Sequence, residues 1–184
     1  MNLTKEKLWT KEFLTVSLIN FIITLMFYLL IVTIASYAQS EYGASTSTAG
    51  LVSSIFIIGS LIGRLGTGRV IGSVGTKKTL WVGLLFFTIT SILYFATFNI
   101  GLLILNRLLQ GIAVGIAGTA TGTIIAQILP NARKGEGIGY YSLSAILATA
   151  IGPFIGILLL KIENVSLLCL LTIASFTIFS ELPP

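Results

Sequence analysis

Residues 13–38 read FLTVSLINFIITLMFYLLIVTIASYA, an apolar stretch without a charged side chain. A helix needs about 20 consecutive apolar residues to cross the hydrocarbon core of a bilayer, so this stretch is long enough to span one. It also exceeds the apolar core of a secretory signal peptide, which has about 7–15 residues. We therefore predict a transmembrane helix rather than a cleaved leader, although Ser36-Tyr37-Ala38 has the small-residue pattern of a cleavage site.

The rest of the chain has the same apolar character. Of its 184 residues, 55% are hydrophobic and 9% are charged, and the mean hydropathy is +1.00. Soluble domains contain about 25% charged residues, so this composition indicates an integral membrane protein. We predict an all-α membrane fold of six transmembrane helices, arranged as two three-helix inverted repeats. The predicted spans are 13–38, 48–67, 79–98, 101–129, 138–160 and 165–180.

The distribution of charge predicts the orientation in the membrane. Basic residues lie before the first span and in alternate connections, namely Lys5, Lys7 and Lys11, then Arg64, Arg69, Lys77 and Lys78, then Arg133 and Lys134. The other connections contain Glu41, no charge near Asn99, and Lys161 with Glu163. Because basic connections stay on the cytoplasmic side, we predict a multi-pass plasma-membrane protein with both termini in the cytoplasm.

Composition also excludes several classes of function. The chain has no histidine and one cysteine, Cys169, so it lacks the ligands for a Cys/His metal site and cannot form an internal disulfide. It has no Asp, and most of its six acidic residues, all Glu, lie outside the apolar runs, which argues against a hydrolase with paired carboxylates. The net charge of +5 is divided among short connections, so nucleic acid is not an expected partner. We predict no enzymatic activity, metal or cofactor.

Residues 63–78 read GRLGTGRVIGSVGTKK. This stretch resembles the loop motif between helices two and three of the major facilitator superfamily, which runs Gly, a basic residue, two variable residues, Asp, Arg, a variable residue, Gly and then basic residues. The matching residues are Gly68, Arg69, Gly75, Lys77 and Lys78. The Asp that helps to hold the cytoplasmic gate in the family falls on Gly72, so the resemblance does not extend to that latch. The alternative is an ordinary basic cytoplasmic loop in which the glycines permit a tight turn.

Residues 106–115 read NRLLQGIAVG and are similar to the fourth-helix motif of the same superfamily. The resemblance implies that Arg107, followed by Gln110 and Gly111, takes part in proton coupling and substrate binding. Arg107 is the only cation that we predict inside a span, and Gly111 and Gly115 form a pair that lets another helix approach closely. In the alternative interpretation, Arg107 lies near the outer end of its span and extends to the membrane interface.

Residues 139–157 read GYYSLSAILATAIGPFIGI and resemble the fifth-helix motif of proton-coupled antiporters in this superfamily. Gly139, Gly152, Pro153 and Gly156 match, and Pro153 is expected to bend the helix. The alternative is that these residues serve helix packing alone. The segment PNARKGEG at 130–137 is also similar to the loop before helix five in bacterial drug-efflux relatives.

The resemblance covers essentially the whole chain and places it nearest to the drug:proton antiporter branch. It implies export of small molecules or drugs, with the proton gradient as energy source. Asn20, Thr24 and Tyr28 follow one another at intervals of four on one helical face. With Arg107 and Gln110, and with Ser142 and Thr149 of the fifth span, they are predicted to line a polar cavity. Spans one to five contain no internal Asp, Glu or His that could carry a proton, so either the acid lies in the missing half or coupling works otherwise.

Members of the superfamily have twelve or fourteen spans, with a cavity between two six-helix bundles. The resemblance therefore implies that these residues form the N-terminal bundle and that the C-terminal bundle is absent from the 184 residues. The expected partners are the lipid bilayer, a small-molecule substrate and a second six-helix half, either its own C-terminal half or a homodimer partner. Two alternatives stay open, a truncated fragment without function and a membrane scaffold or regulatory subunit that transports nothing. The sequence does not identify the substrate.

Overall fold

The computed structural model describes residues 7–159, and within them it contains five α-helices and no β-strand. The helices are α1 (Lys11–Tyr42), α2 (Thr46–Val74), α3 (Thr76–Ile92), α4 (Ile100–Ile128) and α5 (Lys134–Leu159), with short 3₁₀ turns at Leu93–Ala96 and Asn131–Arg133. All five are long and apolar enough to cross a membrane when α3 is counted with the turn that follows it. Each of the first five predicted spans thus coincides with a helix over most of its length, and residue 160 and the sixth span, 165–180, lie outside the described residues.

Side chains that cap backbone N–H groups fix where three of the helices begin. The Thr10 hydroxyl accepts a hydrogen bond from the Phe13 amide at 3.2 Å before α1, and the Ser45 hydroxyl accepts one from Thr48 at 3.2 Å before α2. Asn99 caps α4 by accepting from the Leu102 amide at 2.8 Å. These caps satisfy N–H groups that have no partner within the helix, so each connection ends at a defined residue.

The C-terminal part of α2 differs from the prediction. We expected the second span to end at Thr67 and Gly68 and Arg69 to lie in a loop, which is wrong because α2 continues to Val74. Glycines do not stop this helix, since in an apolar environment the backbone gains more from internal hydrogen bonds than from turning. The chain turns only at Gly75, whose φ of 92° and ψ of 146° belong to a region that is essentially restricted to glycine.

The same extension changes the position of Arg64. We counted this residue with the basic connection after the second span, although it lies within the predicted bounds 48–67, and predicted Arg107 as the only cation inside a span. Arg64 instead lies within α2, ten residues before its end at Val74. The prediction failed because the glycine-rich sequence was interpreted as a loop, whereas the whole segment is helical.

Helices α2 and α4 run in the same direction and pack through two pairs of glycines. Gly59 and Gly63 of α2 face α4, and Gly111 and Gly115 of α4 face α2. A Cβ atom at any of these four positions would overlap backbone atoms of the other helix; at Gly111 it would overlap the carbonyl oxygen of Phe56. Small residues four apart allow this close approach of two backbones. The close approach predicted for Gly111 and Gly115 is confirmed.

The other helices pack around these two. Helix α5 packs against α1, where Gly152 lies against the Tyr28 side chain and Gly156 against the backbone of Leu29. Helix α5 is continuous through Pro153. Helix α3 packs on α4, with Gly83 in close contact with Ala117. The buried core between α1, α3 and α4 contains Phe13, Val16, Ile19, Leu80, Leu84 and Ile125.

Candidate functional site

A hydrogen-bonded polar network surrounds Arg107 in the interior of the bundle. The Arg107 side chain is 0% exposed, and its Nη1 donates to Gln110 Oε1 at 3.0 Å and to the Tyr94 hydroxyl at 3.4 Å. Its Nε donates to the carbonyl oxygen of Val52 at 3.4 Å. Tyr94 in turn donates to Gln110 Oε1 at 2.7 Å, and Gln110 Nε2 donates to Ser91 Oγ at 3.5 Å. The network therefore joins α2, α4 and the end of the third span through one guanidinium.

An aromatic row connects this network to α1. The guanidinium carbon of Arg107 lies 4.7 Å from the centre of the Phe56 ring, a cation–π geometry. Phe56 stacks on Phe27 with ring centres 4.8 Å apart, and Phe27 contacts Tyr28 with ring centres 4.9 Å apart. Arg107 thus packs against a ring rather than extending to the surface, which argues against the alternative of a side chain at the membrane interface.

Two neighbouring side chains of α4 keep unpaired polar atoms in this interior. Arg107 Nη2 and both polar side-chain atoms of Asn106 have no hydrogen-bond partner among the described residues, although Asn106 is only 1% exposed. A buried polar group without a partner costs about 1–3 kcal/mol, so such groups are uncommon and often belong to functional sites. Asn106 and Arg107 are therefore the described residues of α4 whose buried polar atoms lack a hydrogen-bond partner.

A second polar network lies closer to the cytoplasmic end of the predicted topology. Asn20 Nδ2 donates to Ser144 Oγ at 3.0 Å, which joins α1 to α5. The Tyr141 hydroxyl donates to Thr121 Oγ1 at 3.0 Å, which joins α5 to α4. Ser144 Oγ also donates to the Tyr141 carbonyl oxygen at 2.7 Å, so the two contacts are continuous.

The structure divides the predicted site residues between these two networks. Arg107 and Gln110 belong to the network around Arg107, and Tyr28 contacts Phe27 of the aromatic row beside that network. Asn20 belongs to the second network, which joins α1 to α5. Thr24 is half-buried on α1 between them. The other polar residues that we predicted to line the cavity, Ser142 and Thr149, lie exposed on α5, and the Thr149 hydroxyl donates to the Ala145 carbonyl of its own helix.

The residues of the glycine-rich motif at 63–78 lie apart from those of the fifth-helix motif at 139–157. Gly68 and Arg69 are exposed on the last turns of α2, Gly75 forms the turn, and Lys77 and Lys78 begin α3. Close by, Thr76 Oγ1 donates to Gln127 Oε1 at 3.3 Å. In the fifth-helix motif, Gly152 and Gly156 contact α1, whereas a Cβ at Gly139 would meet no atom within 4 Å. Packing against α1 therefore explains two of the three glycines.

Sequence reasoning missed Phe56 and Tyr94, which contact Arg107, and Ser91, which accepts a hydrogen bond from Gln110. One signal was available, since a tyrosine in an apolar helix needs a hydrogen-bond partner when it is buried, and Tyr94 is 8% exposed. Nothing in the sequence indicated that Arg107 is that partner, because the contact depends on how α3 packs against α4.

Comparisons with known proteins identify the family of this chain. The family model described as Major Facilitator Superfamily matches residues 16–180. The chain is 32% identical over 107 residues to the galactose-proton symporter of Escherichia coli, a match covering 58% of this chain and 23% of that protein. It is 26% identical over 156 residues to the staphylopine export protein of Staphylococcus aureus, covering 83% of this chain and 39% of that protein.

A solved structure shows the same fold. The crystal structure of a D-xylose-proton symporter superposes with a TM-score of 0.72 at 15% identity and covers 92% of this chain and 48% of that chain. The chain thus spans about a quarter to a half of the proteins it resembles. Because the family match includes nearly all of its residues, the chain belongs to the Major Facilitator Superfamily.

Proposed function

We propose that this chain is the N-terminal six-helix half of a secondary active transporter that exports small molecules in exchange for protons. The observation that carries the proposal is the fully buried Arg107, seven residues after the start of α4, held by Gln110, Tyr94 and the Phe56 ring in the interior of the bundle. A charge at this depth is costly in a membrane protein, and such residues are typical of substrate and ion pathways. The Nη2 of Arg107 has no partner among the described residues and is buried, so a substrate or an acid from the second half would reach it only after the surrounding helices move.

The proposed half has the helix pairing expected of an inverted repeat. In such a repeat, α1 corresponds to α4 and α2 to α5, so that a contact of α1 with α5 corresponds to one of α4 with α2. Both contacts exist, and the corresponding helices both contribute closely packed glycines, Gly152 and Gly156 of α5 in one and Gly59 and Gly63 of α2 in the other. This supports the proposed repeat.

Export is supported by the staphylopine export protein and by the fifth-helix motif, whose Gly152 and Gly156 contact α1 beside the aromatic row. Proton-coupled uptake is the second candidate, because the galactose-proton symporter and the D-xylose-proton symporter are also similar to this chain. We further propose that the substrate passes between this bundle and a second half, in the plasma membrane with both termini cytoplasmic.

The direction of coupling can be measured with the full-length protein in liposomes that contain a pH-sensitive dye. Galactose, carboxylates and amphipathic cations are added outside in turn, without an imposed pH gradient. Entry of a substrate in exchange for protons raises the internal pH, which is the result we expect, and entry together with protons lowers it. No pH change with any compound, in liposomes that are proton-tight, would contradict proton-coupled transport and favour a scaffold or regulatory subunit.

A further inference from the structure

The connection between α3 and α4 is held to the bundle at two points. It comprises residues 93–99, a 3₁₀ turn followed by the cap of α4. Five of these seven residues are exposed, including Phe98 at 82%. The exceptions are Tyr94, which is buried at 8% exposure, and Thr97, which is half-buried. The position of the connection therefore depends on the contacts of these two residues.

Thr97 is bound by the end of α1. The hydroxyl of Tyr42, the last residue of that helix, donates a hydrogen bond to the Thr97 carbonyl oxygen. Thr97 Oγ1 lies 3.3 Å from the Tyr42 hydroxyl and donates its own proton to the Tyr94 carbonyl oxygen at 2.8 Å. The Thr97 amide donates to the same carbonyl oxygen at 3.4 Å. The contact of Tyr42 with Thr97 thus restrains the backbone of Tyr94.

Tyr94 extends this restraint to Arg107. Its carbonyl oxygen accepts both hydrogen bonds from Thr97. Its hydroxyl donates to Gln110 Oε1 at 2.7 Å and accepts from Arg107 Nη1 at 3.4 Å. A continuous series of hydrogen bonds therefore leads from the end of α1 to the buried guanidinium.

The network around Arg107 is sensitive to the position of Tyr94. Arg107 Nη1 has two acceptors, Gln110 Oε1 and the Tyr94 hydroxyl, and that hydroxyl also donates to the Gln110 oxygen. Arg107 and Gln110 are both 0% exposed, so water does not replace a bond that is lost there. Because buried polar groups are unfavourable without partners, a displacement of Tyr94 weakens the hold on both side chains.

Helix α1 is connected to Arg107 by a second set of contacts. Phe27 of α1 stacks on Phe56 with ring centres 4.8 Å apart, and the Phe56 ring centre lies 4.7 Å from the guanidinium carbon of Arg107. The aromatic row and the hydrogen bonds from Tyr42 therefore both depend on where α1 lies. A movement of α1 relative to the other helices changes the surroundings of Arg107.

We propose that Tyr42 is a positioning residue of the Arg107 site. Its contact with Thr97 holds the α3–α4 connection in the place where Tyr94 pairs with Arg107. This inference rests on the transport function proposed above and adds a residue that acts on the same site from the end of α1. When the contact is broken, the connection keeps Tyr94 as its one buried anchor, and Arg107 is released from its partners more often.

Position-specific modification of arginine by phenylglyoxal, followed by peptide mass spectrometry on the full-length protein in detergent, tests this proposal. Arg107 is fully buried and reacts only on local opening, whereas the exposed Arg69 gives a reference rate. We expect Tyr42→Phe to raise the rate at Arg107 relative to Arg69 about three- to tenfold, the size expected for one hydrogen bond. Tyr140→Phe is the matched control, since this exposed tyrosine stacks on Trp9 outside both networks, and it should change neither rate.

A double substitution distinguishes positioning from general stabilisation. If Tyr42 acts through Tyr94, the double variant Tyr42→Phe/Tyr94→Phe should exceed Tyr94→Phe by much less than the increase that Tyr42→Phe causes alone. Increases that multiply would show that the two residues act independently and would overturn the proposal. An unchanged rate at Arg107 in Tyr42→Phe would also overturn it, and with a lower unfolding temperature it would show that the contact only stabilises the fold.

The modification of Arg107 does not require transport, so the two proposals can fail separately. If Tyr42→Phe raises the rate at Arg107 and no compound changes the pH inside the liposomes, the positioning role is correct and the transport function is not. If substrates change the internal pH and Tyr42→Phe leaves the rate at Arg107 unchanged, transport is correct and the positioning role is not.

Discussion

Arg107 is the residue on which the proposed mechanism depends most directly. It is fully buried, it makes hydrogen bonds with Gln110, Tyr94 and the Val52 carbonyl, and it keeps one nitrogen unpaired. Insertion scales assign a cation at the centre of a span a cost of about 2.5–3.5 kcal/mol. The surrounding acceptors and the Phe56 ring offset part of that cost and hold the cation in place.

Replacing Arg107 tests this role. We expect Arg107→Ala to lower the initial rate of transport in liposomes at least about tenfold, which corresponds to about 1.4 kcal/mol of lost stabilisation. Tyr94→Phe removes only a hydroxyl and should have a smaller effect, because Gln110 still accepts from Arg107. Transport that is unchanged in Arg107→Ala, with normal protein yield, would show that the guanidinium serves packing only.

At the scale of helices, the close contact of α2 with α4 determines where Arg107 lies. Phe56 is on the α2 face beside Gly59, and the α4 face carries Gly111 one turn after Arg107. Because the backbones approach at the glycines, Arg107 reaches both the Phe56 ring and the Val52 carbonyl. The glycine pairs therefore position the polar network as well as holding the two helices together.

Substitutions of two glycines in α4 test this interface. Gly111→Ala places a Cβ against the Phe56 carbonyl, and we expect it to destabilise the protein by about 1–3 kcal/mol, as overpacking does. Gly118→Ala is the matched control on the same helix, since its Cβ meets no atom within 4 Å. Thermal unfolding in detergent compares them, and an equal stability of the two variants would contradict the proposed contact.

At the scale of the whole molecule, the described helices resemble half of a larger transporter. The chain covers 48% of the D-xylose-proton symporter chain with the same fold. Its surface combines exposed apolar side chains with Arg64, which is unsuited to lipid. The apolar side chains suit contact with lipid, but Arg64 does not. A protein partner that covers Arg64 would leave only the apolar side chains exposed to lipid.

We expect the 184 residues, expressed by themselves, to be poorly stable as a monomer and to associate with a second six-helix half. Size-exclusion chromatography with light scattering, together with thermal unfolding, measures this in mild detergent. The comparison is the same chain co-expressed with a C-terminal bundle of the superfamily. A monodisperse monomer with cooperative unfolding would contradict the prediction.

The sequence was sufficient for those features that depend on local composition. Apolar length predicted the first five spans, and the helix that begins at Ile100 differs by one residue from the predicted start at 101. The pair Gly111 and Gly115 predicted a close helix contact, and the motifs around Arg107 and Gly152 predicted the family, which the match over residues 16–180 confirms. Each of these follows from residue type and spacing along one helix.

Other features were decided only by the tertiary structure. The sequence did not show that α2 continues through Gly68 and Gly72, because glycine is a turn signal in water but its backbone still forms helical hydrogen bonds where water is absent. Nor did it show that Arg107 meets Tyr94 and Phe56 while Asn20 meets Ser144. Periodicity shows which residues share a helical face, but their partners depend on the rotation and the depth at which two helices pack. That packing depends on contacts between residues far apart in the chain.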